Sequence, residues 1–241
     1  DDVIDEGDLR RGRKSARTLW GNQASILAGD YLYATGVAKG LTLNNHEVNR
    51  VLQTACCRMI EGEMAQNLQN GNLKLIESEY MEIIRHKTAS LIAAACRLSG
   101  LISGARPDQI EALEQVGLNL GMAFQVADDL LDYTAESERL GKRLGADLKE
   151  GKITLPLLHV LQECSSEENN LIARMVGSSE ADERTLAKIL ELMTRHGSLR
   201  YAREAAAGFV ERAKNQLSCF EPSAHKSALE VVADYVVSRD H

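Results

Sequence analysis

The sequence contains only three prolines, Pro107, Pro156 and Pro222, in 241 residues. Proline ends or kinks a helix because it lacks a backbone N–H and its ring clashes with the preceding turn. Long stretches of this chain can therefore continue as uninterrupted helix. Apolar residues recur in these stretches at spacings of three and four, as they do along one face of an α-helix. We find no convincing two-residue alternation of the kind that half-buried strands show.

The apolar spacing predicts a chain built almost entirely of helices, over about 20–39, 46–69, 80–101, 107–133, 153–163, 183–195, 199–219 and 223–238. The segment from Pro107 to about Tyr133 is apolar on nearly all sides, which indicates a central position. No internal repeat or Pro/Ser-rich linker divides the sequence, and 44% of its residues are apolar, enough for a sizeable core. We therefore expect one all-α domain, a bundle of long packed helices that spans residues 1–241.

The composition excludes several classes of protein. Lys and Arg number 28 against 35 for Asp and Glu, a formal charge of −7, so the surface does not favour binding to nucleic acid or anionic lipid. The apolar runs are far shorter than the roughly 18 residues that a membrane-spanning helix needs. The N-terminal residues DDVIDEGDLRRGRK contain no apolar signal-peptide core, and the five cysteines form no CxxC pair. We expect a cytoplasmic protein with reduced thiols, no disulfide framework and no zinc site.

Two acidic triplets share the spacing DDxxD. They are Asp1, Asp2 and Asp5 in DDVID, and Asp128, Asp129 and Asp132 in DDLLD. A chain with this number of aspartates contains one such pattern by chance about 0.04 times. On a helix the three carboxylates gather on one side, where they repel one another unless cations neutralise them. Oxygen ligands of this kind suit Mg²⁺, although either triplet alone could be a solvated acidic helix face.

Basic and polar side chains accompany the triplets. Arg10 and Arg11 follow the first, and Lys142 follows the second within GKRLGADLKEGKIT. Lys87 lies on the apolar stripe of a predicted helix, where it either extends to solvent or contacts a ligand. Gln125 comes shortly before the second triplet and is a further candidate for ligand contact. Carboxylates for a metal, together with Lys and Arg for phosphate oxygens, describe a polyphosphate ester site, unless the cations merely balance nearby acids.

Other chemistries find no support in the sequence. The segment GKRLGAD lacks the GxxxxGK[ST] order of a P-loop, and no GxGxxG follows a predicted strand. The Glu-x-x-His pairs of di-iron helix bundles are also missing. The six histidines form no cluster with the spacing of metal ligands.

The two triplets belong to a series of motifs that runs along the whole chain. DDVIDEGDLRRG begins the series, and GDYL at 29–32, EGEMAQ at 61–66, HKT at 86–88, FQVADDLLD, GKRLGADLKEGKITLPLLH at 141–159 and the C-terminal SRDH follow. In this order they resemble the trans-isoprenyl diphosphate synthases of the polyprenyl synthetase family, whose two aspartate-rich motifs are similar to DDVIDEGDLRRG and FQVADDLLD. Within the family, the pattern is most similar to the bacterial octaprenyl diphosphate synthases.

This resemblance implies a fold, an activity and a set of site residues. The implied fold is the isoprenoid-synthase bundle of helices around a central cavity, and the implied assembly is a homodimer. The implied activity is Mg²⁺-assisted addition of isopentenyl diphosphate units to an allylic diphosphate. Its product is a long all-trans polyprenyl diphosphate, for which octaprenyl diphosphate is the favoured chain length. The implied metal ligands are Asp1, Asp2, Asp5, Asp128, Asp129 and Asp132. The implied contacts of the allylic diphosphate are Arg10 and the catalytic residues Lys87, Thr88, Gln125 and Lys142, and Arg11 is the implied contact of isopentenyl diphosphate.

The first aspartate-rich motif begins at residue 1, whereas the family has helices upstream that help to bind isopentenyl diphosphate. We expect residues 1–241 to be a polyprenyl synthetase domain without those N-terminal helices, and to be nearly inactive alone because only Arg11 remains for that substrate. Three alternatives stay open: a shorter-chain farnesyl or geranylgeranyl synthase, a non-catalytic partner subunit, and a terpene cyclase. The cyclase is disfavoured because aromatic residues make up only 4% of the chain, and aromatic walls guide the carbocations of cyclases.

Overall fold

A computed structural model of the chain describes residues 3–4, 7–10, 12–134, 145–178 and 183–238, without the side chains of Arg10 and Glu183. Within these ranges the structure is almost entirely helical, which confirms the all-α prediction. The exception is a hairpin of two short strands, β1 (Leu9–Arg10) and β2 (Arg13–Lys14), which pair antiparallel. The described helices are α1 (Ala16–Leu41), α2 (His46–Gln69), α3 (Glu77–Ile84), α4 (Ser90–Ser103), α5 (Pro107–Thr134), α6 (Ala146–Lys149), α7 (Leu155–Glu163), α8 (Ser166–Met175), α9 (Glu183–Arg195), α10 (Ser198–Gln216) and α11 (Ala224–Ser238), with a π-helical segment (Arg85–Ala89) and a 3-10 turn (Leu217–Cys219).

Helix α5 is the centre of the bundle, as its apolar character predicts. It packs against α4 and α10, and Val116, Ala123 and Val126 on it are almost completely buried. A glycine lets α4 come close to it, because a Cβ atom added to Gly117 would lie 2.6 Å from the carbonyl oxygen of Ile92. This close approach fixes the position of α4 along α5.

The helix predicted over 80–101 is present, and it contains a π-helical segment that the apolar spacing does not predict. The π-helical segment Arg85–Ala89 separates α3 from α4, and the backbone N–H of Ser90 donates to the carbonyl oxygen of Arg85, five residues earlier. The hydroxyl of Ser90 also donates to the carbonyl oxygen of His86, 2.6 Å away. A π turn holds an extra residue, and such turns are frequent at functional sites. Apolar spacing does not reveal it, because the buried residues on both sides keep spacings compatible with one helix.

Two helix starts also differ from the prediction. Helix α8 is not predicted by the apolar spacing, but a capping box marks its start, since Ser165 and Glu168 each accept a hydrogen bond from the other's backbone N–H. Helix α1 starts before residue 20 because the Ser15 side chain caps its first turn, and it is kinked at Gly21, where φ is 82°. Both starts are set by capping hydrogen bonds rather than by apolar spacing.

The apolar core of the described residues consists of two clusters. The larger surrounds the second half of α5 and includes residues of α3, α6, α7, α8, α9 and α10. The smaller joins the first half of α5 to α10 and α11. Helix α1 contributes no buried residue to either. None of the helices within the described ranges combines the length and the apolar character needed to cross a membrane.

Gly62 on α2 provides a test of the packing that positions the π segment. A Cβ atom at this position would overlap the backbone of Lys87. We expect Gly62→Ala to lower the free energy of unfolding by about 1–3 kcal/mol, because α2 must move away from the π segment. Chemical denaturation followed by circular dichroism measures the change.

Gly36→Ala on α1 is the matched control for this prediction. A Cβ atom at Gly36 meets nothing within 4 Å, so this variant should keep the stability of the wild type or gain up to about 1 kcal/mol. Equal free energies of unfolding for Gly62→Ala and Gly36→Ala would contradict the close approach of α2 to the π segment.

Candidate active site

The second acidic triplet lies on the C-terminal half of α5, and its members differ in exposure. Asp128 is exposed, Asp132 is half-buried, and only 6% of Asp129 is exposed. Consecutive residues of a helix are rotated by about 100° from one another, so Asp128 can face solvent while Asp129 faces the core. The triplet is therefore not a uniformly solvated acidic face.

Several predicted site residues lie outside the described residues. These are Asp1, Asp2, Asp5, Arg11 and Lys142, and the side chain of Arg10. Their roles stay predictions. The geometry that follows concerns the second triplet together with Lys87, Thr88 and Gln125.

A chain of side-chain hydrogen bonds connects the π segment, α5 and α3. The hydroxyl of Thr88 donates to Oε1 of Gln125, 2.6 Å away, and Nε2 of Gln125 donates to Oδ1 of Asp129 at 2.8 Å. The hydroxyl of Tyr80 donates to the other oxygen of Asp129, Oδ2, at 2.7 Å. The structure thus brings together three residues that the sequence singled out. Tyr80 is an additional partner that apolar spacing presents only as a core residue.

Lys87 does not simply extend to solvent. Its Nζ atom lies 2.5 Å from Oε1 of Gln66 and 2.8 Å from Oε2 of Glu63, and 21% of its side chain is exposed. Both partners come from α2, within the EGEMAQ segment. A lysine ammonium group has three N–H donors, so one remains after these two contacts. Lys87 is therefore oriented by α2 and retains a donor for an anionic group.

Asp132 fixes the chain that returns to α5 after residue 144. Its Oδ1 accepts from the backbone N–H of Ala146 at 3.2 Å, and its Oδ2 from that of Asp147 at 3.1 Å. The carbonyl oxygen of Asp132 accepts from the backbone N–H of Gly145 at 2.9 Å. An ionised carboxylate has further lone pairs, so these contacts leave it able to support a metal site. Its visible contribution is to position the start of α6.

The returning segment places another acid beside the triplet. The side chain of Asp147 is 18% exposed, and its Oδ1 lies 3.7 Å from Nζ of Lys152, which also lies 2.6 Å from Oε2 of Glu150. Asp147 acts on Asp129 through space and raises the pKa of that carboxyl. Asp147 lies 15 residues after Asp132 and outside either triplet, so the spacing of the acids does not single it out.

Burial dominates the electrostatics of Asp129. The pKa of its carboxyl is raised from 3.8 to about 8, chiefly by loss of contact with water and further by the negative charges of Asp147 and Asp128. The hydrogen bonds from Tyr80 and Gln125 oppose the rise without cancelling it. In the absence of a cation, Asp129 therefore carries a proton at neutral pH. A divalent cation would stabilise the ionised form and displace that proton.

The carboxylates of the second triplet fit a metal cation that binds together with a substrate. Among the described residues, no group of three or more carboxylate, histidine or cysteine side chains is placed to hold a metal ion by itself. Asp128 and Asp129 are adjacent carboxylates on α5. Mg²⁺ is commonly held by one or two carboxylates, water and substrate phosphate oxygens. The second triplet thus fits Mg²⁺ in the presence of a diphosphate.

Comparison with known proteins decides the family. The sequence profile described as "Polyprenyl synthetase" matches residues 1–193. This chain belongs to the polyprenyl synthetase family. It is 37% identical over 240 residues to an octaprenyl diphosphate synthase of Escherichia coli strain K12, an alignment that covers 100% of this chain and 74% of the relative. It is 36% identical over 245 residues to a short chain isoprenyl diphosphate synthase of Methanothermobacter thermautotrophicus, which covers 100% of this chain and 75% of the relative.

Solved structures of the family share the fold. A decaprenyl diphosphate synthase from Rhodobacter capsulatus superimposes with a TM-score of 0.94 and 38% identity, over 100% of this chain and 74% of that one. A polyprenyl synthase from Caulobacter crescentus CB15, complexed with calcium and isoprenyl diphosphate, gives the same TM-score, identity and coverage. The predicted isoprenoid-synthase fold and the prediction of a prenyltransferase enzyme are confirmed. The family is one of metal-dependent prenyltransferases that act on prenyl diphosphates.

The raised pKa of Asp129 predicts how the stability of the metal-free protein depends on pH. Between about pH 4 and pH 8 the folded state binds a proton at Asp129 that the unfolded state has lost, so this residue's contribution to stability falls as the pH rises. Asp129→Asn cannot ionise and should remove this dependence. In EDTA, we expect the free energy of unfolding of Asp129→Asn to rise relative to the wild type by about 1–3 kcal/mol from pH 5 to pH 8.

Asp108→Asn, on the same helix, is the control for the pH measurement. Asp108 is exposed, and its hydrogen bond with Arg106 lowers the pKa of its carboxyl, so it is ionised throughout that range of pH. Urea denaturation at four pH values would supply the data. A difference between wild type and Asp129→Asn that stays constant with pH would show that Asp129 is already ionised in the metal-free protein.

Proposed function

We propose that the protein adds isopentenyl diphosphate units to an allylic diphosphate in a head-to-tail manner with Mg²⁺, and that its product is a long all-trans polyprenyl diphosphate. The observation that supports this most is the hydrogen-bonded chain Thr88–Gln125–Asp129 beside the oriented Lys87. Lys87, a cation of the type that binds phosphate, is the neighbour of Thr88 in the π segment, and the chain that begins at Thr88 ends at a carboxylate that a metal would stabilise. In the family to which the chain belongs, this combination suits the departure of diphosphate from an allylic carbon.

The proposed roles follow the chemistry of each group. Asp128 and Asp129, with Asp1, Asp2 and Asp5, would hold Mg²⁺, and Asp132 would support the second set by holding α6. Lys87, Thr88 and Gln125, with Arg10 and Lys142, would contact the allylic diphosphate, while Arg11 would contact isopentenyl diphosphate. Bound Mg²⁺ would neutralise charge on the diphosphate oxygens.

The protein's own residues contribute by orientation and charge. As the bond between the allylic carbon and the diphosphate oxygen breaks, negative charge grows on the leaving group, and the third N–H of Lys87 is available to it. Because Glu63 and Gln66 hold Lys87 in place, little reorganisation is needed at that moment. The double bond of isopentenyl diphosphate then forms a new C–C bond with the allylic cation. Loss of a proton regenerates an allylic diphosphate that is one C5 unit longer.

The chain length of the product differs among relatives of this chain and is proposed on separate grounds. Relatives include octaprenyl and nonaprenyl diphosphate synthases as well as a geranylgeranyl diphosphate synthase of Methanosarcina mazei, which is 34% identical. We propose an octaprenyl product, on the similarity to octaprenyl diphosphate synthases of Escherichia coli and Haemophilus influenzae at 37% and 35% identity. A farnesyl or geranylgeranyl product is the alternative.

Product analysis by mass tests the proposal directly. The protein, incubated with isopentenyl diphosphate, farnesyl diphosphate and Mg²⁺, should yield linear octaprenyl diphosphate. A C20 end product would assign a geranylgeranyl synthase, and a C10 primer in place of farnesyl diphosphate would reveal a farnesyl synthase by a C15 end product. A cyclic hydrocarbon would indicate a cyclase, and no product would indicate a non-catalytic subunit.

Asp128→Asn tests the proposed metal role. We expect it to lower kcat by at least about 100-fold with little change in Tm, because Asp128 is exposed. Asp108→Asn, an exposed carboxylate on the same helix, should keep the wild-type rate. Steady-state rates at saturating substrate with varied Mg²⁺ measure the effect, and an Asp128→Asn rate within a few fold of wild type would contradict the role.

We also propose that the protein forms a homodimer, because α1 exposes several large apolar side chains. Trp20, Tyr31 and Leu32 on this helix are each 71% exposed, and large exposed apolar groups of this kind commonly mark subunit interfaces. We expect Leu32→Glu to shift the protein toward monomer in sedimentation velocity. Val231→Glu, at an apolar position on α11 that is 67% exposed, is the control and should not do so. A wild-type protein that sediments as a monomer at micromolar concentration would refute the proposal.

A further inference from the structure

A polar cavity lies apart from the residues proposed for prenyl transfer. It has a volume of about 410 Å³ and lies between α2, the π segment, α4 and the first half of α5. Its wall carries four arginines, Arg50, Arg58, Arg85 and Arg97, against one acid, Glu114. Lys87, Thr88, Gln125 and the aspartates of the second triplet do not line it. We define this space as the arginine cavity.

The four arginines differ in how far they are neutralised. Arg97 is paired, since its guanidinium lies 2.5 Å from Glu114 and 3.2 Å from Glu47, with Glu111 at 3.6 Å. Arg85 lies 3.8 Å from Glu82, and both of those side chains are more than half exposed, so the pair is screened by solvent.

Arg50 and Arg58 carry the uncompensated charge of the cavity. Neither forms a hydrogen bond or ion pair with another residue in the described parts of the chain. They lie eight residues apart on α2, with Thr54 midway, so the three side chains follow one face of the helix over about 12 Å. Two guanidinium groups on one wall, with no acid among the described residues paired to them, favour an anion that contacts both. Their planar forks suit phosphate oxygens.

The remainder of the wall is suited to an apolar group. Val51, Ala55, Ala93, Ala94 and Leu118 line it, and Thr54, Ser90 and Gln115 supply polar contacts. The volume falls within the range of sites for small molecules. A ligand that matches these features has an anionic end and a short apolar portion.

We propose that the arginine cavity binds a small phosphate or diphosphate ester, with its anionic group between Arg50 and Arg58 and its apolar portion against the side chains of α4 and α5. The π segment separates this site from the reaction site, because Arg85 and His86 line the cavity whereas Lys87 and Thr88 contact Gln66 and Gln125. The proposal requires no metal and does not depend on the proposed prenyl transfer.

Metal-free binding of a simple anion tests the site. Inorganic diphosphate is titrated into the full-length protein in EDTA by isothermal calorimetry. We expect binding by the wild type, and a loss of at least about 100-fold in affinity for Arg50→Gln/Arg58→Gln, since two charge-assisted contacts are removed. Both side chains are exposed and have no partner among the described residues, so the double variant should keep the wild-type Tm.

Two controls locate the binding. Arg174→Gln/Arg184→Gln removes the same charge at exposed positions outside the cavity and should bind like the wild type. Lys87→Gln should also retain the metal-free binding, because Lys87 belongs to the reaction site. Loss of binding in Lys87→Gln but not in the Arg50/Arg58 variant would assign the anion to the reaction site and overturn the proposal.

A second set of measurements tests whether the apolar wall contacts the ligand and whether Arg50 and Arg58 belong to a subunit interface instead. Butyl phosphate should bind more tightly than inorganic phosphate in the wild type, and equal affinities would overturn the assignment of an ester ligand. Wild-type protein that does not bind inorganic diphosphate at millimolar concentration would also overturn it. If the Arg50/Arg58 variant instead changes only its sedimentation, with diphosphate binding intact, the arginines belong to a subunit interface and not to a ligand site.

Discussion

The carboxylate of Asp129 is buried where α3, the π segment and α5 meet, and the arrangement of the reaction site depends on holding it there. Removing a carboxylate from water is costly unless hydrogen bonds replace the lost solvation. Tyr80 and Gln125 each donate to one of its oxygens, and Gln125 in turn accepts from Thr88. Each member of the chain is thereby fixed in orientation. The part of the cost that remains appears as a raised pKa, so a cation that binds there displaces a proton.

The π segment distributes neighbouring residues between two surfaces. Lys87 and Thr88 reach the side chains of α2 and α5, whereas Arg85 and His86 line the arginine cavity. A regular helix turn would rotate these residues differently. The segment can lie close to α2 only because Gly62 has no side chain there. One irregular turn and one glycine therefore set both the surface that presents Lys87 and Thr88 and the arginine cavity beside it.

Much of the fold follows from local properties of the chain. Scarce proline and apolar residues at spacings of three and four predicted most of the helices and the central position of α5. The short helix α8 and the early start of α1 were missed, because capping hydrogen bonds of Ser165 and Ser15 set them. The sequence also singled out Lys87 on an apolar helix face, Gln125 beside the second triplet and Asp129 within it, and the family resemblance added Thr88.

The sequence by itself determined the class of fold, the family and the chemical types present at the site, since these depend on periodicity and on motifs that are continuous in the chain. Only the tertiary structure decided which side chains meet. Tyr80 and Asp147 approach Asp129 from 49 and 18 residues away along the chain, and Glu63 reaches Lys87 from another helix. The different surroundings of Asp128 and Asp129 were likewise decided by packing. Burial and through-space charge depend on distances in the folded protein, and no local pattern of residues records those distances.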